Sequence, residues 1–418
     1  MITTEREPER VILVGVETFE NQATFEASMT ELASLATTAG ATVSTTFTQK
    51  KERLDGKYLV GIGKLQEIKT QLELEDEADA VIFNHQLTPR QLTNLSAFLG
   101  VKVLDRMQLI LDIFALRARS HVGMLQVELA QLTYLLPRLA GSKGLALSRQ
   151  AGGIGARGAG ESQLELDRRQ IRHRLALIEA QLKKAEQVQA NMRQKRQASP
   201  VFKIGLIGYT NAGKSSIFNA LTATNQYEQD ELFATLDATT KSFSIQDELM
   251  VTLTDTVGFI QDLPTELVKA FKATLEESKT VDLLLHVIDA SNATHQIHED
   301  VVEGIIKELG MADIPVLTVY NKLDLADNFE PTILPSLQLS IKSETGLQQL
   351  RQAILAKMAT LFVPFELELP YSQAHQLAKL RKFALIEQIV AQDDLARYLI
   401  SGKIAEREKW RLLENGLR

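Results

Sequence analysis

The sequence predicts an α/β multidomain fold: an N-terminal parallel α/β domain, a helical hairpin linker, a doubly wound P-loop domain and a small C-terminal α+β domain. Three observations carry this prediction. Short apolar strands alternate with helical patterns in two segments, two leucine-rich seams flank a glycine-rich stretch, and a G-x-x-x-x-G-K-[ST] motif opens the second α/β segment. The predicted boundaries are 1–105, 106–198, 199–362 and 363–418.

Composition excludes several classes of protein. The 418 residues suffice for about two to four domains, and 44% hydrophobic with 24% charged residues is an ordinary globular mixture. No apolar run approaches the ~20 residues of a membrane span, and the segment MITTEREPER does not resemble a secretory signal. The absence of cysteine excludes disulfides and thiolate metal sites and suits a cytoplasmic protein. We expect at most peripheral membrane association.

The first domain alternates strands and helices, which is typical of a parallel sheet. The predicted helices are Phe25–Ala39 and one that opens at Thr88-Pro89, with threonine as cap and proline at the first position. The predicted strands are Val11–Val16, Val43–Phe47, Lys57–Val60, Ala80–Phe83 and Val101–Leu104.

A short Gly61-Ile62-Gly63-Lys64 segment in this domain has two readings. It could cradle a phosphate at a helix N-terminus, or it could be a tight turn that needs glycine. We favour the turn, because the motif is too short to be specific.

Two helical seams predict an antiparallel hairpin in the linker. The first seam is Leu125, Leu129, Leu132 and Leu136, and the second lies in a helix over Ser162–Arg196. Between them, residues 141–160 form a loop with seven glycines and several basic side chains, a composition suited to close approach to a phosphate backbone. A plain connector is the alternative reading.

Charge is distributed unevenly along the chain. Residues 138–198 hold 13 Lys or Arg against 5 Asp or Glu, a net of +8 in a chain of net −7, so the remainder carries −15. A basic segment in an acidic protein indicates a local anionic partner, although a solvated helix face would also explain it.

The second α/β segment begins with a phosphate-binding motif. The apolar strand Phe202–Ile207 runs into Gly208-Tyr209-Thr210-Asn211-Ala212-Gly213-Lys214-Ser215, and a helical pattern follows. This is the context in which backbone amides wrap a β-phosphate, Lys214 reaches the β and γ oxygens, and the Ser215 hydroxyl ligates Mg²⁺.

Two further elements follow the P-loop. Asp255-Thr256-Val257-Gly258 ends a strand at Leu249–Thr254, so that Asp255 can hold a Mg²⁺ water and the Gly258 amide can sense the γ-phosphate. The segment Phe233-Ala234-Thr235-Leu236-Asp237 lies before it, and we choose Thr235 as the threonine that ligates Mg²⁺ when GTP is bound. Thr239 and Thr240 are the fallback.

Guanine selection is predicted by two later turns. Asn321-Lys322-Leu323-Asp324 follows the strand Pro315–Tyr320; the Asp324 carboxylate can accept from the guanine N1 and exocyclic amine, which adenine does not offer. Asn321 would contact the other edge of the base, Lys322 would lie over it, and a backbone amide of Ser340-Ile341-Lys342 would donate to O6.

These elements in order predict a P-loop GTPase domain with the cofactors GTP or GDP and Mg²⁺. The catalytic residues would be Lys214, Thr235 and Gly258, and the metal ligands Ser215 and Thr235. Phe259 stands where many regulatory GTPases place a glutamine, so we expect slow intrinsic hydrolysis. Asn211 could help to bind K⁺, since potassium-dependent GTPases place asparagine at this P-loop position.

The C-terminal part carries fewer indications. Phe365–Leu369 alternates as a strand between Pro364 and Pro370, and the rest is expected to contain strands and a helix near Ser372–Val390.

The chain resembles the HflX GTPases of the Obg–HflX group over about residues 39–325. The matching phrases are AGATV, VKVLDRMQLILDIFALRA, LQVELAQLTYLLPRLAG, GGIGARGAGESQLELDRR, GYTNAGKSSIFNALT, LFATLDATT, LTDTVGFIQDLP, AFKATLEE and YNKLD. Two departures from the family pattern are Ile341, where alanine is frequent, and Ala238, where proline is common.

The resemblance implies binding to the large ribosomal subunit, with the 141–160 loop reaching towards the peptidyl-transferase region. It also implies splitting of stalled or stressed ribosomes or a role in ribosome biogenesis. We expect a monomer that binds ribosomal RNA and no DNA. Two rival readings are a nucleotide-regulated switch that binds a protein such as a membrane protease, and an ATP-driven RNA-remodelling enzyme. The basic charge of 138–198 favours RNA, because a protein partner would more often need an exposed apolar patch.

Overall fold

The computed structural model describes residues 8–74, 78–139, 157–197, 199–223, 232–233, 239–255, 258–260, 279–327 and 329–408, with the backbone alone at 157–164 and 189–197. The described residues fall into two compact units. The first holds residues up to 187 together with 232–233, and the second holds the remainder.

The first unit contains a four-stranded parallel sheet in the order β2-β1-β3-β4. Its apolar side chains, among them Ile12, Val14 and Phe83, are fully buried against the flanking helices. The strands are β1 Arg10–Glu17, β2 Thr42–Lys50, β3 Ala80–Phe83 and β4 Lys102–Asp105. The parallel α/β prediction is confirmed.

Helices follow the strands in this unit. The predicted cap at Thr88 is present as a reciprocal capping box with Gln91, which fixes where the third helix begins. The helices are α1 Phe25–Thr38, α2 Ile62–Leu74, α3 Pro89–Leu99, α4 Arg106–Arg117, α5 His121–Arg138 and α6 Arg157–Gln197.

One buried carboxylate joins the sheet to the helical part of the unit. Asp105 at the end of β4 accepts hydrogen bonds from the backbone N–H groups of Gln108 and Leu87, each at 2.9 Å, and from the Tyr134 hydroxyl at 2.7 Å. Because the side chain is fully buried, these partners offset the cost of removing its charge from water.

The two long helices pack as the seams predict. Leu125 of α5 lies in one apolar cluster with Ile178 and Leu182 of α6, and Arg174 makes two hydrogen bonds to Glu128, at 2.6 and 2.7 Å. Helix α6 begins at Arg157, earlier than the predicted Ser162, and includes Gly158 and Gly160 despite the low helix propensity of glycine. Residues 141–156 of the predicted loop lie outside the described part of the chain.

The second unit contains a six-stranded sheet in the order β10-β9-β8-β5-β7-β6, antiparallel only between β6 and β7. Strand β5 lies between β7 and β8, so the chain leaves it at the point where the winding direction reverses, where ligands bind in open α/β sheets. The strands are β5 Phe202–Gly208, β6 Thr239–Gln246, β7 Leu249–Asp255, β8 Leu283–Asp289, β9 Val316–Asn321 and β10 Ser336–Gln338. The described helices are α7 Lys214–Thr222, α8 His295–Glu308 and α9 Glu344–Leu361.

A small antiparallel sheet ends the second unit, with β11 Val363–Pro370, β12 Ala384–Gln392 and β13 Arg397–Ile404 in the order β11-β13-β12. The expected helix near Ser372–Val390 was too long: α10 covers only His375–Leu380, and β12 takes the rest. Leu385, Ile386, Ile389 and Val390 give β12 the β-branched and apolar content that favours pairing with β13.

The predicted strand Lys57–Val60 is wrong. The segment is a tight turn in which Asp55 pairs with Leu59, whose φ is 67°. The Asp55 carboxylate accepts from the amides of Lys57 and Tyr58, and these local bonds compete with strand pairing. Burial of Leu59 and Val60 explains why the segment reads as apolar.

The Gly61–Lys64 segment opens α2, and its contacts favour the turn reading. The Gly61 amide, which would face an anion, donates to Gln49 Oε1 at 2.8 Å. Lys64 pairs with Glu67 at 2.6 Å. Among the residues described, no helix combines the length and apolar character that crossing a membrane requires.

Candidate guanine-nucleotide site

The P-loop leaves the carboxyl end of β5 and enters α7, and two of its glycines are required by geometry. Gly208 has φ 157°, and a Cβ there would lie 2.2 Å from Val287 O. Gly213 has φ 92°, and a Cβ there would lie 2.3 Å from Asn321 Nδ2. The backbone can follow this course only without side chains, as a phosphate-wrapping loop requires.

Lys214 lies at the centre of this loop. Its ammonium group donates to Gly208 O at 3.0 Å and to Tyr209 O at 2.6 Å. Burial is the main cause that lowers its pKa to about 8, while the charge of Asp255 acts in the opposite direction. An ammonium held in so dry a place interacts strongly with a phosphate, because little water screens it.

Ser215 and Asp255 are the predicted magnesium-site residues that the described part of the chain includes. Ser215 Oγ donates to Asp255 Oδ2 at 3.2 Å, and the carboxylate is fully buried. Hydroxyl and carboxylate oxygens are the ligand type that Mg²⁺ prefers, so this pair fits the ion. Thr235 lies outside the described residues.

The residues predicted to recognise the base meet at the carboxyl ends of β9 and β10. Asp324 is exposed, and the hydrogen bond from the Ser340 hydroxyl is first among the causes that lower the pKa of its carboxyl group. The group is therefore ionised at neutral pH and can accept the two N–H donors of guanine.

Asn321 joins the P-loop to the Ser340–Lys342 loop. Its Nδ2 donates to Ala212 O at 3.2 Å, and its Oδ1 accepts from Ile341 N at 3.0 Å. With both amide atoms engaged and the residue buried, Asn321 holds the two loops together. Direct contact of Asn321 with guanine stays a prediction. Ile341 is itself buried, so only its backbone is offered to this contact.

The Lys322 side chain lies between Asp289 of β8 and Asn211 of the P-loop. Its φ is 61°, and its ammonium group pairs with Asp289 at 2.8 Å and donates to Asn211 Oδ1 at 3.4 Å. Asp289 is a residue that sequence reasoning missed, although its place at the end of β8, next to β9, could have suggested a partner for Lys322. A K⁺ site at Asn211 stays a prediction.

Gly258 lies directly against the P-loop. A Cβ on it would meet Thr210 Cγ2 at 2.8 Å and Lys214 Nζ at 3.0 Å. The next residue, Phe259, forms a parallel bridge with Tyr209, and its side chain is buried. Thr256 and Val257 lie outside the described residues.

Phe233 belongs to the first unit. Its buried ring packs edge-on to Phe114, with centroids 4.5 Å apart. Nucleotide contact by Phe233 stays a prediction, and Ala234, Thr235, Leu236 and Asp237 lie outside the described residues. Of the fallback threonines, Thr240 bonds to Thr254 at 2.9 Å within the β6–β7 pair.

A histidine supports the P-loop from outside the motifs. The His298 ring of α8 stacks on Tyr209 with centroids 3.7 Å apart and planes at 8°. Burial is the main cause that lowers the pKa of His298 to about 4, so the ring is neutral at pH 7. No motif contains His298, and its contact depends on how α8 packs on β5, which the sequence does not state.

Three family models match the chain. Residues 26–115 match the N-terminal region of GTP-binding GTPases, residues 117–196 match their middle region, and residues 203–322 match a 50S ribosome-binding GTPase domain. A crystal structure of the SsGBP–GDP complex is also similar, with 25% identity, a TM-score of 0.48, and coverage of 84% of this chain and 98% of that one.

Sequence relatives extend over almost the whole chain. The GTPase HflX of Alkalihalophilus pseudofirmus is 46% identical over 404 residues, covering 96% of this chain and 95% of the relative. That of Escherichia coli is 41% identical over 372 residues and covers 87% of each. The chain belongs to the HflX family of GTPases, enzymes that hydrolyse GTP to GDP and phosphate.

Proposed function

We propose that this GTPase binds the large ribosomal subunit through the helical pair α5–α6 and the 141–160 loop. Ribosomal RNA would stimulate its slow hydrolysis, and the cycle would separate stalled or stressed ribosomes into subunits or act in ribosome biogenesis. Support comes from the 50S ribosome-binding description of the domain that residues 203–322 match. The observation that carries the proposal is the charge on one face of α6.

Three of the exposed basic side chains of α6 share a face. Arg169, Arg172 and Lys183 are all exposed. At about 100° per residue they lie within a sector of about 60°, and Ile178 of the packed seam lies on the other side of the helix. The seam fixes which way the basic face points, so it presents a charged surface to solvent in the way a phosphate backbone requires.

An apolar stripe on the same helix favours the protein-partner reading as a second candidate. Leu166, Leu177 and Val188 are 48%, 43% and 55% exposed, and their spacing places them on one side of α6. The packed helical pair therefore leaves apolar side chains of α6 exposed. Ile178 and Leu182 pack against α5, whereas Leu166, Leu177 and Val188 are spaced 11 residues apart and lie on a different side of the helix.

Several finer assignments belong to the proposal. Mg²⁺ would be held by Ser215 and Thr235, K⁺ would bind at Asn211, and the four domains would keep the boundaries 1–105, 106–198, 199–362 and 363–418. The protein would act as a cytoplasmic monomer. Equal hydrolysis rates in sodium and potassium would remove the K⁺ site.

Co-sedimentation with purified large subunits across a salt series tests the proposal. Replacing Arg169, Arg172 and Lys183 with Gln should weaken binding and flatten its salt dependence, because each lost phosphate contact removes ~0.7–0.9 from the log–log slope. The matched control replaces the exposed Arg53, Lys57 and Arg90 of the first unit with Gln, which removes the same charge.

Binding lost only in the α6 variant supports the proposal. Equal behaviour of the two variants would overturn docking through the basic face. Binding that is insensitive to salt but lost on Leu177→Ser would instead support recognition of a protein through the apolar stripe.

A further inference from the structure

Phe259 is tied to the P-loop by two backbone hydrogen bonds. The Thr210 N–H donates to Phe259 O at 2.7 Å, and the Phe259 N–H donates to Gly208 O at 3.2 Å. These bonds make a parallel bridge between Tyr209 and Phe259, so a segment that must respond to the nucleotide is paired with the loop that binds it.

The side chain of Phe259 anchors this bridge. It is 2% exposed and lies in an apolar cluster that Ile207 of β5, Leu284 of β8 and Val302 of α8 help to form. Burial of a phenylalanine contributes substantially to stability, so the backbone bonds are held by packing as well as by their own strength. Ile260, the next residue, is also fully buried.

The bridge places Gly258 where a γ-phosphate would have to fit. A Cβ built on Gly258 would be only 3.0 Å from Lys214 Nζ and 3.0 Å from Thr210 Cα. A single phosphate oxygen that accepts a hydrogen bond from Lys214 already lies ~2.7–2.9 Å from the ammonium nitrogen. A whole phosphate group therefore cannot lie between Lys214 and Gly258 while the bridge is intact.

The β-phosphate is not excluded in the same way. Its amide donors come from the later part of the loop, towards α7, and neither bridge bond uses an amide beyond Thr210. The closed bridge therefore leaves these amides available to a diphosphate and narrows the space on the Gly258 side of Lys214, which the γ-phosphate of a triphosphate would enter.

We propose that Phe259 sets the preference between GDP and GTP: its buried side chain holds the Tyr209–Phe259 bridge closed over the γ-phosphate position, and GTP binds only by opening that bridge. Phe259 thus acts as a specificity-determining latch on the P-loop. The proposal does not depend on ribosome binding, because it concerns the isolated chain.

The test compares equilibrium affinities for GDP and for a non-hydrolysable GTP analogue in the full-length chain. Phe259→Ala removes the anchor and leaves the backbone in place. The ratio of analogue affinity to GDP affinity should rise about tenfold, the free energy of one or two backbone hydrogen bonds. Phe259→Leu, which refills much of the pocket, should give a smaller rise.

Met311→Ala is the matched control, because Met311 is buried in the same cluster but makes no bridge bond. It should lower stability without changing the affinity ratio. An unchanged ratio in Phe259→Ala, or an equal rise in Met311→Ala, would overturn the latch.

A second measurement uses the unaltered chain and does not depend on the variants folding. Amide hydrogen exchange at Thr210 and Phe259 should be slow with GDP and faster with the GTP analogue. Equal protection with both nucleotides would overturn the proposal.

Discussion

At the scale of single residues, Asp324 is the side chain that we predict to select the base. Asp324→Asn replaces an acceptor by a side chain that also donates, so two charge-assisted bonds to guanine are lost. Guanine-nucleotide affinity should fall at least about 100-fold, and a xanthine nucleotide, whose C2 carbonyl can accept, should bind better than to the unaltered chain. Titration with GDP and xanthosine diphosphate measures both effects; unaltered selection would contradict the assignment.

The buried ring of His298 makes stability depend on pH. Its folded pKa of about 4 lies below the ordinary 6.5, so between these values the unfolded chain binds the proton more readily, and stability falls as pH falls through this window. His298→Phe keeps the stack on Tyr209 but removes the titration. Between pH 7 and pH 5, that variant should lose about 2 kcal/mol less unfolding free energy than the unaltered chain.

Chemical denaturation at the two pH values measures the difference. His375→Phe is the control, since His375 is exposed and lies away from the P-loop. His286, whose pKa burial also lowers to about 4, will retain some pH dependence in both variants. Equal pH dependence in the His298 and His375 variants would contradict this account.

The sequence predicts residues of this site only where a motif records their chemistry. Lys214, Ser215 and Asp324 can be predicted because the motifs pair each of them with a partner on the nucleotide or with Mg²⁺. The sequence predicts Asn321 as a site residue. It does not predict the hydrogen bonds of Asn321 to Ala212 and Ile341, because these depend on how two loops pack together. His298 and Asp289 carry no motif and become visible only after the helices and strands are placed.

At the scale of elements, Gly346 in the first turn of α9 constrains the Ser340–Lys342 loop, which we predict to face guanine. A Cβ on Gly346 would lie 2.1 Å from Ser340 O, so Gly346→Ala must displace the Ser340–Ile341 backbone. We expect about a tenfold loss of GDP affinity, the loss of about one hydrogen bond. Gly304→Ala in α8 is the control, because a Cβ there meets nothing within 4 Å. Equal effects would contradict the prediction.

The α5–α6 pair depends on apolar packing more than on its surface ion pair. Ile178 is fully buried, and Ile178→Ala should lower the unfolding free energy of the pair by about 2–5 kcal/mol. Glu128→Gln removes the partner of an exposed Arg174 and should barely change the denaturation midpoint. Denaturant titration followed by helical circular dichroism compares the two. A larger effect from Glu128→Gln would contradict this ranking.

Prediction of elements succeeds where local and tertiary preferences agree. The capped helix α3 and the strand Ala80–Phe83 are examples, since capping or apolar pattern and burial indicate the same structure. It fails at Lys57–Val60, where Asp55 supplies a local turn, and in β12, where pairing with β13 prevails over a helical reading. Tertiary contacts decide such segments.

At the scale of the whole molecule, the alternation of strands and helices predicts two α/β sheets, and the leucine seams predict packed helices. The sequence pattern does not predict the order of strands in each sheet, and it does not predict the direction in which the basic face of α6 points. In the proposed function that face matters most, because it would bind the polyanionic partner.

The most direct test of this account is the rate of GTP hydrolysis with and without purified large ribosomal subunits. It would use the intact chain, the α6 variant lacking three basic side chains, and a chain with residues 141–160 replaced by a short Gly/Ser linker. We predict stimulation of the intact chain by about 10³-fold, since partner-supplied activation is commonly that large, and its loss in both variants while GDP binding persists. An intact chain that binds GDP but shows no stimulation by the large subunit would contradict the proposed function.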